Sequence, residues 1–338
     1  MVSIHVQLPK IASEKSKMLT YAQYRDLLSV KTLNEFVIKL KKMDYEEIEL
    51  QENATLELID FGLKEKLIVT LQKIIRNSPE KFQRFFMVYL LKFEIENIKL
   101  LIKSFYKNLV KDEIKIHESI EELVGRIGIF KEALMATDMK ALLAILRRLP
   151  YGDLIIEAFI TFERENYSFF YFDLVLDLKY LEELWLKHQK LNQKDSQIAR
   201  QYVGFETDCY NLEAIVRARN LKVEPSLTYK MISAKNYHLN KQFLESLMKD
   251  NLNYEKLAEI IGSKEKISNL DANSIRIICK HARVNLIRSL YVKEVFSIGK
   301  SLAFFLHKEL EIENLRTVSV GIYYKRPLEE ILSKIYIV

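Results

Sequence analysis

The stretch 308–318 reads KELEIENLRTV. Its apolar residues Leu310, Ile312, Leu315 and Val318 fall at helical spacing, yet Asn314 stands among them, three positions after Glu311. Asn is a poor helix former because its amide competes for backbone hydrogen bonds. Burying it without partners costs about 1–3 kcal/mol. An Asn placed here predicts a buried polar clamp, in which Glu311 and Asn314, on one helix face, bond each other or reach together to a neighbouring helix.

The pattern recurs. FEIENIKLLIKSF at 93–105 carries Glu94 and Asn97, and TDCYNLEAIVRAR at 207–219 carries Asp208 and Asn211, so the three Asn residues are separated by 114 and 103 positions. A second anchor repeats independently: LKKMDYEEI at 40–48, LRRLPYGDL at 146–154 and MKDNLNYEKL at 248–257 place Tyr45, Tyr151 and Tyr254 at separations of 106 and 103. Both anchors give a period of about one hundred residues, and three such periods nearly fill the chain. The expectation is three similar domains, 1–111, 112–222 and 223–338, each with short helices around the Tyr and a long helix carrying the acid and the Asn.

Composition fixes the fold class. Of 338 residues 49% are hydrophobic, enough for a large core, while eight Gly and five Pro leave few turns. The reading is all-α. Apolar spacing such as Phe86, Leu90, Phe93 and Ile98 predicts helices packed on helices. The first long helix is expected to open at NSPEKF, with Ser78 as N-cap and Pro79 as the first helical residue, and to run to about Asn108. The second is expected near KDSQIARQY, capped by Asp195 or Ser196, and the third from about Ala282 to Tyr323 with a bend at Gly299.

Most chemistries find no support. The formal charge of +6 is spread along the chain without a basic stripe, which argues against nucleic acid. Cys209 and Cys279 lie far apart in apolar helical stretches, so neither a disulfide framework nor a zinc site is expected, and a reduced, cytoplasmic setting fits. Apolar runs such as FFMVYLL at 85–91 are soon broken by charges, so any membrane connection is peripheral. No phosphate-cradling glycine loop occurs, and the six His residues form no metal-binding pattern. No cofactor is expected. Asp173 and Asp177 share a helix face and are the only candidates for an all-α enzyme's metal pair; the plainer reading is a solvent edge or a salt-bridge set. The aromatic run YSFFYF at 167–172 and Trp185 read as packing.

With these motifs in hand the chain resembles the C subunit of archaeal and bacterial A/V-type rotary ATPases, related to the d subunit of the eukaryotic vacuolar enzyme. The likeness runs from YAQYRDLLSVKTLNEFVIKL at 21–40 through NLEAIVRAR to EIENLRTVSVGIYYKRPLEEIL at 311–332. It implies a funnel of three helical domains about a pseudo-threefold axis, seated on the cytoplasmic face of the membrane proteolipid ring and receiving the D and F subunits of the central stalk. Such a protein catalyses nothing; it couples rotor shaft to ring during proton or sodium transport. The alternative that the residues leave open is a helical-repeat scaffold binding another protein or nucleic acid.

Overall fold

The computed structural model describes residues 4–48, 54–109, 114–165, 167, 169–248, 254–263, 271–293 and 295–338. Among them every regular element is a helix. The chain begins with α1 (Ile4–Ser16), α2 (Tyr21–Leu27) and α3 (Leu33–Lys41), followed by two long helices, α4 (Leu56–Arg76) and α5 (Glu80–Tyr106). Four shorter helices come next, α6 (Ser119–Val124), α7 (Ile129–Leu134), α8 (Met139–Leu146) and α9 (Gly152–Arg164), before a hairpin of two more long helices, α10 (Phe169–His188) and α11 (Gln193–Asn220). Then α12 (Pro225–Lys230), α13 (Lys241–Met248) and α14 (Tyr254–Ile260) lead to a third pair of long helices, α15 (Ala272–Val292) and α16 (Gly299–Tyr323), and α17 (Leu328–Leu332) follows.

The three pairs of long helices are alike in length. A helix of 20 or 21 residues is followed by one of 25 to 28. At 1.5 Å per residue the longer arms run about 40 Å. In each, the helix ends nine residues after the Asn, at Tyr106, Asn220 and Tyr323. Two positions further the chain turns through a left-handed residue, Asn108 (φ 51°), Lys222 (φ 53°) and Lys325 (φ 52°). The next N–H then reaches back to the helix: Leu109 to the Ser104 carbonyl, Val223 to Ala218 and Arg326 to Gly321, each at 2.9 Å. This is a Schellman closure, and Gly would normally occupy its left-handed site.

Helix starts differ from the sequence expectation in three places. The Ser78 hydroxyl donates to the Ile74 carbonyl at 2.8 Å and accepts from Gln7, so it finishes α4 instead of capping α5. The cap of α11 is Asn192, whose Oδ1 accepts from the Asp195 N–H at 2.9 Å; Asp195 lies inside the first turn. The third long helix is two helices, with Gly299 beginning the second, because the connection has helix-compatible residues and hides a turn that carries no Pro.

Contacts divide the chain into two compact units, Met1–Gln83 with Lys280–Val338, and Arg84–Cys279. In the first, α16 packs against α1, α3, α4 and α17, and Phe304, Phe305, Leu310 and Leu315 are fully buried on it. In the second, α10 packs between α9 and α11, and Phe170, Leu174, Ala214, Ala218 and Met231 form one core cluster. The 167–172 aromatics pack inside this unit: the Phe169 ring meets Phe162 at 4.9 Å, Phe172 at 5.5 Å and Tyr106 at 5.8 Å.

Candidate functional site

Each of the three Asn residues grips the backbone of a single residue downstream. Asn97 donates from Nδ2 to the His117 carbonyl and accepts at Oδ1 from the His117 N–H, both at 3.1 Å. Asn211 does the same to Ser233, at 3.0 and 2.8 Å. Asn314 does so to Tyr336, at 2.8 and 3.1 Å. The partners lie 20, 22 and 22 residues beyond the Asn, in non-helical segments. An amide is the one side chain that can offer a donor and an acceptor side by side, as a strand neighbour would, and so satisfy both polar groups of a buried residue.

The partner is therefore a loop, where the sequence suggested a second helix. The physical reason is supply: helical backbone in the middle of a bundle has no free N–H or C=O, while a loop folded back over a helix needs both satisfied.

The acids three residues earlier hold different groups. Glu94 is buried and pairs with the Arg126 guanidinium, which lies over the Tyr151 ring. Asp208 accepts backbone N–H bonds from Tyr237 at 3.1 Å, His238 at 2.7 Å and Leu239 at 3.4 Å. Burial pushes its carboxyl above the usual range, against the pull of those three N–H groups. Glu311 accepts from the Leu19 N–H at 2.7 Å, from the Tyr45 hydroxyl, and from Lys308 Nζ at 2.5 Å.

Two of the three anchor tyrosines lie at these acids. Tyr45 donates to Glu311 and is held far above the usual phenol range by burial and then by that carboxylate. Tyr151 is raised by burial and then by the charge of Glu94. The Tyr254 residue begins α14, and its side chain lies outside the described residues. Glu94 meets the Tyr that follows it in the chain, whereas Glu311, on the last long helix, meets the Tyr of the first segment. The buried ion pair Glu311–Lys308 leaves each side chain about 2–5% exposed.

A second ionic set flanks α16. Burial pushes Glu313 up, but Arg283 at 2.5 Å and Lys280 at 3.1 Å outweigh it and bring the carboxyl below its ordinary value. Asp173 and Asp177 pair with cations of α5, Lys103 at 2.8 Å and Lys99 at 2.5 Å, which is the salt-bridge arrangement. Among the described residues no group of three or more His, Cys, Asp or Glu could hold a metal ion, and no helix is long and apolar enough to cross a membrane.

The gripped residues His117, Ser233 and Tyr336 are invisible in the sequence, because they take part in the clamp through backbone alone and any residue type but Pro would serve. The left-handed positions do leave a signal, since each lies eleven residues after its Asn, but none is a Gly. Arg126 and Lys308, the counter-charges, belong to no shared pattern, so no repeat comparison marks them.

Three copies of one clamp, each tying a long helix to the loop that follows it, define an internally repeated, all-helical structural protein. The chain belongs to the ATP synthase (C/AC39) subunit family, which it matches over residues 9–334. It is 25% identical to the C subunit of the A-type ATP synthase of Methanocaldococcus jannaschii, over 96% of this chain and 84% of that protein. The C subunit of Thermococcus onnurineus is 24% identical over 92% of this chain and 84% of its own length, and that of Pyrococcus horikoshii 22% over 95% and 87%. Family members of this kind are structural subunits of the A/V-type ATPase, not its catalytic one, and this chain is one of them.

Proposed function

We propose that the chain is the central-stalk socket of an A/V-type ATPase, coupling the rotor shaft to the membrane proteolipid ring during proton or sodium transport. Its three domains, 1–111, 112–222 and 223–338, would form a pseudo-threefold funnel that receives the D and F subunits of the stalk. Attachment to the membrane would be peripheral, through the ring, on the cytoplasmic face.

The observation that carries this reading is the bond set at Glu311. Its carboxylate, on the last long helix, is completed by Leu19 and Tyr45 from the first segment. An open solenoid leaves its first and last repeats unjoined, with polar caps on both. A body in which the last repeat borrows its missing partner from the first suits a closed arrangement of three. Torque transmission also needs a part without easy hinges, and loops pinned to helices at Asn97, Asn211 and Asn314 remove the hinges that loops provide.

The test is recovery of the tagged chain from detergent-solubilised membranes. Co-purification with proteolipid and stalk subunits is expected. Recovery with head subunits alone, or with none of them, would overturn the socket reading.

A further inference from the structure

Among the described residues, two grooves built on the same pair of elements carry different chemistry. One lies where the left-handed turn after α16 meets the N-cap of α3; it measures about 590 Å³ and is floored by Val30, Ile322, Leu328 and Ile331. The other lies where the turn after α5 meets the N-cap of α8 and measures about 370 Å³. Both are bounded by an N-cap residue, Thr32 in one and Asp138 in the other, and by the residue at the eleventh position after the Asn, Lys325 in one and Asn108 in the other.

Their charges differ. The α16 groove is rimmed by Lys31, Lys325 and Arg326, all exposed. The Glu35 carboxylate accepts from the Lys31 N–H at 2.8 Å, but among the described residues no carboxylate lies within ion-pair distance of the Lys31 or Lys325 ammonium, and Arg326 acts on Glu330, which is itself bonded to Lys334 at 2.7 Å, through its field alone. The α5 groove has no cation on its lining and one acid, Asp138. Lys325 also holds a left-handed backbone that Gly would adopt at lower cost. Gly321 leaves room for the floor, since a Cβ there would come within 2.4 Å of the Ile331 side chain.

We propose that the α16 groove is a docking site for an acidic, aliphatic-flanked segment of a partner protein chain. Three cations around an apolar floor match carboxylates flanking one or two aliphatic side chains. A lipid surface is met by a convex face and would leave the floor empty; a free phosphate would use the rim and not the floor. The inference rests on the reading that this chain works inside an assembled ATPase.

The test places the photo-cross-linking residue p-benzoylphenylalanine at Leu328 in the full chain, within the detergent-solubilised complex, and identifies the captured peptide by mass spectrometry. One segment with at least two Asp or Glu beside an aliphatic residue is expected. Charge reversal by Lys31→Glu with Lys325→Glu should lower its yield about tenfold while the chain still co-purifies. The same cross-linker at Met139, in the acidic groove, should not capture that segment. Co-purification with no capture, capture of lipid, capture of a neutral or basic segment, or equal capture from Met139 would overturn the groove assignment alone. Loss of co-purification with every ATPase subunit would overturn it together with the socket reading.

Discussion

Asn314 and Tyr336 are joined by two hydrogen bonds through which one side chain does the work of a neighbouring strand. The pair ties the last residues of the chain to the helix that carries the third motif. Asn314→Leu keeps the volume and the apolar neighbours but removes both bonds to the Tyr336 N–H and C=O. A loss of about 1–3 kcal/mol is expected in urea unfolding, with the helical content of the folded state unchanged. Asn314→Asp keeps the acceptor and sets a carboxylate against the Tyr336 carbonyl, so it should be no better tolerated than Leu. Stability within error of the parent for both would mean that the pair is replaced by water.

Lys222 occupies a left-handed turn with no Gly to ease it. Lys222→Gly should stabilise the chain by about 0.5–1 kcal/mol, because the steric cost at this position exceeds the backbone entropy that Gly adds to the unfolded state. Asn108→Gly should gain less, since Asn tolerates this conformation better than Lys. Thermal melting of the two variants checks the order; destabilisation by either would show that its side chain has a role at the turn.

Much of this architecture is legible in the sequence, and what is not has a common cause. The long helices, the Glu–Asn and Asp–Asn pairs and the approximate period follow from side chains whose identity matters. The gripped residues at 117, 233 and 336 act through backbone, so their types carry no mark. The α15–α16 turn escapes notice because Val295, Phe296 and Ile298 continue an apolar helical pattern, and Phe296 proves to be 58% exposed. Counter-charges are the third gap: Arg126 answers Glu94 and Lys308 answers Glu311 from unrelated places in the repeat.

Gly204 allows the segment held by Asp208 and Asn211 to lie against α11. A Cβ at this position would come within 2.3 Å of Tyr237 Cβ. Gly204→Ala improves helix propensity by about 1 kcal/mol. The overlap should cost more, about 1–3 kcal/mol, because the loop is held by side-chain bonds on either side of Tyr237 and cannot move away cheaply. Faster amide exchange at Tyr237, His238 and Leu239 in the Ala variant, with net destabilisation, is the expected result.

His307 makes stability depend on pH with a definite sign. Burial, and then Lys15 and Lys308, hold its pKa down to about 4 against the partial opposition of Glu311, while the unfolded value is 6.5. Between these values the unfolded chain binds more protons, so this stabilising contribution is present above pH 6.5 and is lost as the pH falls toward 4. The loss is at most about 3–4 kcal/mol. Urea titrations at pH 7.5, 6.0 and 4.5 should show a shallower decline for His307→Gln than for the parent. Parallel declines would place the proton uptake on other groups.

The sharpest test of the third motif is at Glu311, which is buried with Lys308 and receives the Leu19 N–H and the Tyr45 hydroxyl. Glu311→Gln preserves shape and an acceptor but leaves the Lys308 ammonium buried without a counter-charge, a situation that costs about 3–5 kcal/mol. Lys308→Met removes that ammonium, so the double variant should be more stable than Glu311→Gln alone, a coupling that simple addition of the two single changes would miss. Because the Gln oxygen can still accept from Leu19 or Tyr45, the double variant should keep the first segment on α16, which slow exchange of the Leu19 amide reports. If the double variant regains stability yet exchanges Leu19 rapidly, the ion pair and the closure of the first segment onto the last helix are separate features. The case for a closed three-repeat body would then lose the bond set on which it rests.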